Sequence, residues 1–156
     1  MEITKELWGN TPCGKEIYRY TLRNSSGAYV QLSNLGAGIV SIVVPDKDGN
    51  MADVVLGYAK ADSYYADGPC AGKVPGRYAN RIANGRFELD GKVYELPINN
   101  GPNHLHGGPE GLQNKIWEHR ENNGGVDFLY YSKDGQMGYP GALKTAVRYE
   151  WSEENE

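Results

Sequence analysis

Twenty-one glycines cut this 156-residue sequence into short runs rich in Val, Ile, Tyr and Leu. Short runs of that composition, bounded by turn residues, form strands, so the spacing predicts an all-β chain. Residues 17–23 alternate, with Tyr18, Tyr20 and Leu22 on one side. Residues 28–33 alternate through Ala28, Val30 and Leu32. Residues 38–44 are a nearly continuous apolar run, which reads as a central strand covered on both faces and closed by Pro45-Asp46, with Asp48-Gly49 beyond. Residues 53–58 read as another short apolar strand. There is no amphipathic helix, internal repeat or low-complexity segment, and residues 58–65 have room for one helical turn at most.

The sharpest local signal is the hairpin at residues 86–96 around Asp90-Gly91, a pair suited to a two-residue type I′ turn. A turn that tight sets Leu89 against Lys92, Phe87 against Tyr94 and Arg86 against Glu95. Residues 116–121 and 126–132 flank Asn122-Asn123-Gly124-Gly125 as a second hairpin, and residues 133–141 form a glycine-rich loop. The last strand has the best period of two: Leu143, Thr145, Val147, Tyr149 and Trp151 point one way, and Lys144, Ala146, Arg148 and Glu150 the other. It has two readings. It pairs backwards with residues 126–132 and forms the terminus, or the chain is the first part of something longer whose further strands cover Val147, Tyr149 and Trp151.

The length suits one domain with its own core. A net charge of −4, with Lys and Arg scattered singly, leaves no basic stripe for nucleic acid. No apolar run approaches membrane-spanning length, and Met1-Glu-Ile-Thr-Lys-Glu lacks the pattern of a signal peptide. Cys13 and Cys70 read as ordinary thiols of a reducing compartment, so the expected location is the cytoplasm, although spacing alone leaves a single disulfide open.

The candidate chemistry flanks the first hairpin. Asn80-Arg81 lies before it and His104-Leu-His106 after it, a gathering of donors that suits a small polyhydroxylated ligand. In an extended segment His104 and His106 share a face and are free to converge on a ligand or a metal. His104-x-His106-x-x-x-Glu110 also resembles the first half of a cupin metal motif, but its second half is missing and the remaining histidine, His119, falls inside a predicted strand. The plainer reading makes them loop hydrogen-bond partners, with His106 held against backbone by Gly107-Gly108. Asn80-Arg81 is an ordinary solvated pair unless Gly76 and Gly85, with Tyr78 and Ile82 packed beneath, make that loop rigid. Gly68-Pro-Cys-Ala-Gly72-Lys73 is one residue short of a phosphate-binding loop and is followed by Val74, so it is set aside. Asp46, Asp48, Asp53, Asp62 and Asp67 read as turn residues, and no carboxylate pair stands out as acid and base.

Taken together, Gly76-Arg-Tyr-Ala-Asn-Arg-Ile-Ala-Asn-Gly-Arg-Phe, Asp90-Gly-Lys-Val-Tyr-Glu-Leu and Asn103-His-Leu-His-Gly-Gly resemble the aldose 1-epimerase (galactose mutarotase) family. Leu35-Gly-Ala-Gly-Ile-Val-Ser, Asp53-Val-Val-Leu-Gly-Tyr and Gly138-Tyr-Pro-Gly-Ala-Leu extend the likeness in the same order along nearly the whole chain. The resemblance implies a galactose-mutarotase-like β-sandwich (supersandwich) that interconverts the α and β anomers of an aldohexose such as galactose or glucose, with no metal and no cofactor. Carried over by position, Asn80 and Arg81 bond sugar hydroxyls and His106 holds the sugar around its reacting ring. The family's general-acid histidine, in an Asn-His-Ser-type motif, and its general-base glutamate fall beyond Glu156. The expectation is therefore an N-terminal portion, truncated at its C-terminal side, nearly inactive alone, and prone to self-association or to pairing with a complementary C-terminal half. A non-catalytic carbohydrate-binding module and a cupin-like metalloprotein are the alternatives.

Overall fold

The computed structural model describes residues 1–65 and 68–156. Five strands, β1 (Glu2–Asn10), β2 (Glu16–Arg23), β3 (Tyr29–Ser33), β4 (Gly38–Pro45) and β5 (Met51–Asp53), form an antiparallel meander in chain order. Alternation decides its faces. Tyr20, Leu22, Val30 and Leu32 turn inward and are buried, while Arg19, Thr21, Arg23 and Gln31 lie opposite them. β1 escapes a reading by periodicity because Glu2, Thr4, Lys5 and Glu6 make it polar on both sides. It is an edge strand, so it needs little apolar surface. Instead Lys5 sits 3.9 Å over the Tyr18 ring, and Arg19 pairs with Glu6 at 2.7 Å.

Two expectations for this sheet need correction. β4 is next to the edge rather than central, and much of it is half-buried. The strand expected over residues 53–58 is instead β5, ending at Asp53, and Leu56 is 94% exposed. The cause is the Asp53 carboxylate, which accepts the Ile42 N–H (3.1 Å), the Val55 N–H (3.0 Å) and the Ser41 hydroxyl (2.7 Å). A side chain that takes the neighbouring strand's donor ends the ladder. Asp46 does serve its turn, accepting from the Asp48 and Asn50 amides. Asp62 sits instead in the first turn of α1 (Ala61–Tyr65), and Asp67 falls outside the described residues.

The second sheet holds β10 (Glu118–Asn122), β11 (Gly125–Ser132) and β12 (Leu143–Glu150), with β11 in the middle. Val126 and Phe128 are completely buried and meet Tyr20, Leu22 and Leu32 of the first sheet, with Trp117 and Trp151 filling the core between them. The Trp117 indole donates to the Leu112 carbonyl and that of Trp151 to the Ala28 carbonyl. The period of two in β12 holds. Its inner face, however, is not bare as expected: Val147 and Tyr149 pack on the core, and Trp151 is 8% exposed. What stays open among the described residues is the backbone edge of β12. A smaller cluster of Ile17, Leu35, Val40, Ala61 and Tyr64 seats α1. There Lys73 is buried and donates to the Tyr64 carbonyl at 2.6 Å, which is no posture for a phosphate ligand.

The hairpin of β7 (Arg86–Leu89) and β8 (Lys92–Glu95) has the expected register, with Phe87 and Tyr94 stacked at 5.2 Å. Asp90 (φ 53°) and Gly91 (φ 74°) make its turn. Before and after it lie β6 (Arg81–Ile82) and β9 (His104–Leu105), paired with each other. No helix among the described residues is long and apolar enough to cross a membrane.

Candidate functional site

The β6–β9 ladder brings the two flanks of the hairpin together. Arg81 faces Leu105 and Ile82 faces His104. Asn80 (φ 65°) and His106 (φ 52°) then leave the extended conformation in opposite directions along the chain. They grip each other: the His106 N–H donates to the Asn80 carbonyl, and the Asn80 N–H donates to His106 Nδ1, both at 3.0 Å. A neutral ring that accepts at Nδ1 carries its proton on Nε2. Arg81 Nε donates to Asn100 Oδ1 at 2.8 Å and Nη1 to Asn80 Oδ1 at 3.3 Å. Asn80, Arg81 and His106 therefore form one cluster, with backbone groups joining Asn80 to His106 and side chains joining Arg81 to Asn80 and Asn100.

The left-handed turn at His106 also undoes the expected convergence of the two imidazoles. His104 points inward and is completely buried, with Nδ1 2.7 Å from the Pro97 carbonyl and Nε2 2.7 Å from the Tyr139 hydroxyl. His119 is committed elsewhere, to the Tyr20 hydroxyl at 2.5 Å. Among the described residues no three His, Cys, Asp or Glu side chains gather as metal ligands, so the cupin-like reading loses its geometric basis. Gly107 and Gly108 crowd other groups than His106. A Cβ on Gly107 would stand 1.7 Å from the Gly76 carbonyl oxygen, and one on Gly108 would stand 2.8 Å from His104 Cε1.

Beside the cluster opens a cleft of about 530 Å³, lined by Arg77, Tyr78, Arg81, Phe87, Leu89 and Tyr139, among others. Arg81 belongs to both cluster and cleft. Tyr78 does not pack beneath the loop as expected; it is 55% exposed and forms cleft wall, while Ile82 is half-buried. Arg77 donates to the Pro140 and Gly141 carbonyls at 3.0 and 2.6 Å, and its guanidinium lies 5.7 Å from the Tyr139 ring. Burial raises the Tyr139 hydroxyl pKa, opposed by the Tyr78 amide and by Arg77. Arg77, Asn100 and Tyr139 are the members that sequence reasoning left without a role. Their signals were modest: an Arg straight after Gly76, an Asn opening a Gly-Pro turn, and a Tyr inside Gly138-Tyr-Pro-Gly141.

The family's own sequence pattern decides the lineage: the description "Aldose 1-epimerase" matches residues 18–156. The chain belongs to the aldose 1-epimerase family. It is 42% identical over 149 residues to galactose mutarotase of Sus scrofa, covering 96% of this chain and 44% of that protein. Against aldose 1-epimerase of Escherichia coli K12 the identity is 39% over 145 residues, covering 92% of this chain and 42% of the relative. Among solved structures, galactose 1-epimerase from Lactobacillus acidophilus NCFM superposes with a TM-score of 0.85 at 28% identity, over 98% of this chain and 45% of that one. The aldose epimerase homologue from C. elegans gives a TM-score of 0.79 at 37% identity, over 84% and 41%. The fold is thus galactose-mutarotase-like, and the chain spans less than half the length of these relatives.

Proposed function

We propose that this chain supplies the sugar-holding part of an enzyme that interconverts the α and β anomers of an aldohexose such as galactose or glucose. One observation carries the reading: in an aldose 1-epimerase family chain, Asn80, Arg81 and His106 are hydrogen-bonded into one cluster, and Arg81 lines an open, partly aromatic cleft beside it. Asn80 and Arg81 bond sugar hydroxyls, and His106 offers its Nε2 proton to an oxygen near the reacting centre. Phe87, Tyr78 and Tyr139 give the apolar face of a pyranose something to lie against. No metal or cofactor enters this reading.

Ring opening needs an acid at the ring oxygen and a base at the anomeric hydroxyl, and each proton transfer contributes roughly 10²–10⁴-fold. Of the three histidines, His104 and His119 are tied up internally. A complementary C-terminal half, which the open edge of β12 is suited to receive, is the proposed source of the acid and base. Self-association through the same edge is the competing fate. Cys13, an exposed thiol, supports a cytoplasmic setting.

Polarimetry of freshly dissolved α-D-galactose tests the assignment. The chain alone is expected to leave mutarotation near the buffer rate. Mixed with residues of the Escherichia coli relative beyond its matched part, it is expected to accelerate the reaction, and Arg81→Ala to abolish the gain. The second reading, a non-catalytic carbohydrate-binding module, draws on the internal ties of His104 and His119, which withdraw both from acid–base work. It is favoured if the chain binds galactose but no complementing half restores activity.

A further inference from the structure

Asn80, Arg81 and His106 ride on two segments joined by the ladder pairs Arg81↔Leu105 and Ile82↔His104. A two-stranded ladder of that length is marginal by itself and holds no donor array rigid. What stiffens it lies underneath. His104 is completely buried, and nothing in the sugar chemistry uses it. The Pro97 carbonyl can only accept, so His104 Nδ1 carries the ring proton. In the neutral ring Nε2 is then a bare acceptor, and the Tyr139 hydroxyl must donate to it. The bonds run in one direction, from Tyr139 through His104 to Pro97.

Each member of that chain comes from a different segment. Pro97 follows β8, His104 precedes His106 by two residues, and Tyr139 sits at the base of the cleft. The Tyr139 ring meets His104 edge-on at 5.4 Å and Phe87 at 6.4 Å. Ile82, two residues after Asn80, pairs with His104 itself across the ladder. The backbone of Gly108, two residues after His106, leaves no room for a Cβ beside the imidazole. Both segments of the sugar cluster thus rest on one buried pair.

We infer that Tyr139 and His104 are the positioning pair of the sugar site, setting the spacing between the Asn80–Arg81 segment and the His106 segment through the backbone. The inference rests on the reading of Asn80, Arg81 and His106 as the residues that hold the sugar. Tyr139→Phe keeps the ring but leaves His104 Nε2 without a donor in the interior, so the two segments lose their common anchor.

The test uses the full chain with ¹⁵N-labelled histidine and D-galactose as probe. His104 is expected as the Nδ1–H tautomer at neutral pH; the Nε2–H tautomer overturns the proposal. In Tyr139→Phe the galactose affinity is expected to fall about tenfold, as leaving one buried acceptor unpaired implies. Amide exchange at Asn80 and His106 is expected to quicken by about the same factor, while Leu22 and Phe128 keep their protection. Tyr130→Phe is the control, since Tyr130 accepts from Gln136 of the same loop at 3.2 Å without touching His104. It is expected to change affinity by less than about twofold. Unchanged exchange at Asn80 and His106 in Tyr139→Phe overturns the proposal, and so does faster exchange throughout both sheets, which marks general stabilisation. If the unaltered chain binds no galactose, the sugar reading fails by itself and the exchange pattern still decides the positioning role.

Discussion

The two sheets and the β6–β9 cluster are built on opposite principles. In the sheets, side-chain direction follows a period of two over strands of up to nine residues, and the strands hold one another through long ladders such as Gly125↔Glu150 to Ser132↔Leu143. In the cluster the ladder covers two residues, and Asn80, Asn84 and His106 all adopt left-handed backbone. Repetition makes the first region tolerant and cooperative. In the second, each residue has one permitted posture, and a single wrong atom is expected to spoil it. Substitutions in the sheets should therefore cost stability while leaving the cluster's geometry intact in the molecules that remain folded, and substitutions in the cluster should spoil its geometry at a smaller cost in stability.

The largest expected effect lies in the sheets. Phe128 is completely buried between Tyr20 and Tyr149, edge-on to both. Phe128→Ala is expected to cost about 3–5 kcal/mol in denaturant unfolding, the usual range for emptying a core aromatic site. Where the variant remains folded, galactose affinity should match the unaltered chain. A selective loss of affinity would break the separation between the two regions.

Next comes Gly107→Ala in the cluster. Its φ of 80° and a Cβ 1.7 Å from the Gly76 carbonyl oxygen mean that the backbone must move. The expected stability cost is smaller, of order 1–3 kcal/mol, as for strain at a left-handed position. The galactose response at Asn80 and His106 is expected to vanish. Retained binding with only a stability loss would sharpen the comparison against us, by showing the cluster to be as forgiving as a sheet.

This division explains what was legible from sequence. The faces of β2, β3 and β12, and the register of the Asp90-Gly91 hairpin, follow from period and turn chemistry, both local properties. β1 was invisible because an edge strand need not alternate in polarity. Residues 54–58 looked like strand because the Asp53 carboxylate's capture of the Ile42 amide is a tertiary event. The Asn80-Arg81 and His106 cluster was legible as a set of residue types, yet the opposite orientation of His104 was not. One left-handed residue reverses direction, and no periodicity reports it. Tyr139 needed a partner 35 residues away before its role could be seen.

A third effect concerns the outer face of the second sheet. The Asp127 carboxylate accepts from Arg148 at 2.7 Å, Arg120 at 3.1 Å and Asn122 at 2.9 Å, and the two guanidinium groups, Arg148 first, hold its pKa down at about 2. A depressed carboxylate pKa contributes stability that is present above about pH 4 and lost as pH falls toward 2. Asp127→Asn is expected to flatten that acid limb in a pH series of unfolding midpoints. An unchanged slope between pH 4 and pH 2 would show that the cross-strand clamp contributes nothing.

The smallest effect falls where the two sheets meet through polar atoms. His119 of β10 takes the Tyr20 hydroxyl at 2.5 Å, with the Tyr18 ring 5.2 Å away, Phe128 behind Tyr20, and Lys5 and Glu121 as the neighbouring charges. Burial, and then Lys5, lower the His119 pKa from its ordinary 6.5. The unfolded chain therefore binds that proton more readily, and stability is lost as pH falls below about 6.5. Burial pushes Tyr20 the other way, up to about 12. Its share of stability is whole below about pH 10 and lost as pH rises through 12. Burial of this one pair thus limits the sandwich on both sides of neutrality. Lys5→Met removes the cation but not the burial, so it is expected to soften the acid limb slightly and leave the alkaline limb in place. His119→Phe removes the titrating ring and should abolish the loss of stability below about pH 6.5. Unfolding midpoints from pH 5 to pH 11 separate these cases, and an acid limb that survives His119→Phe unchanged would assign it to another group.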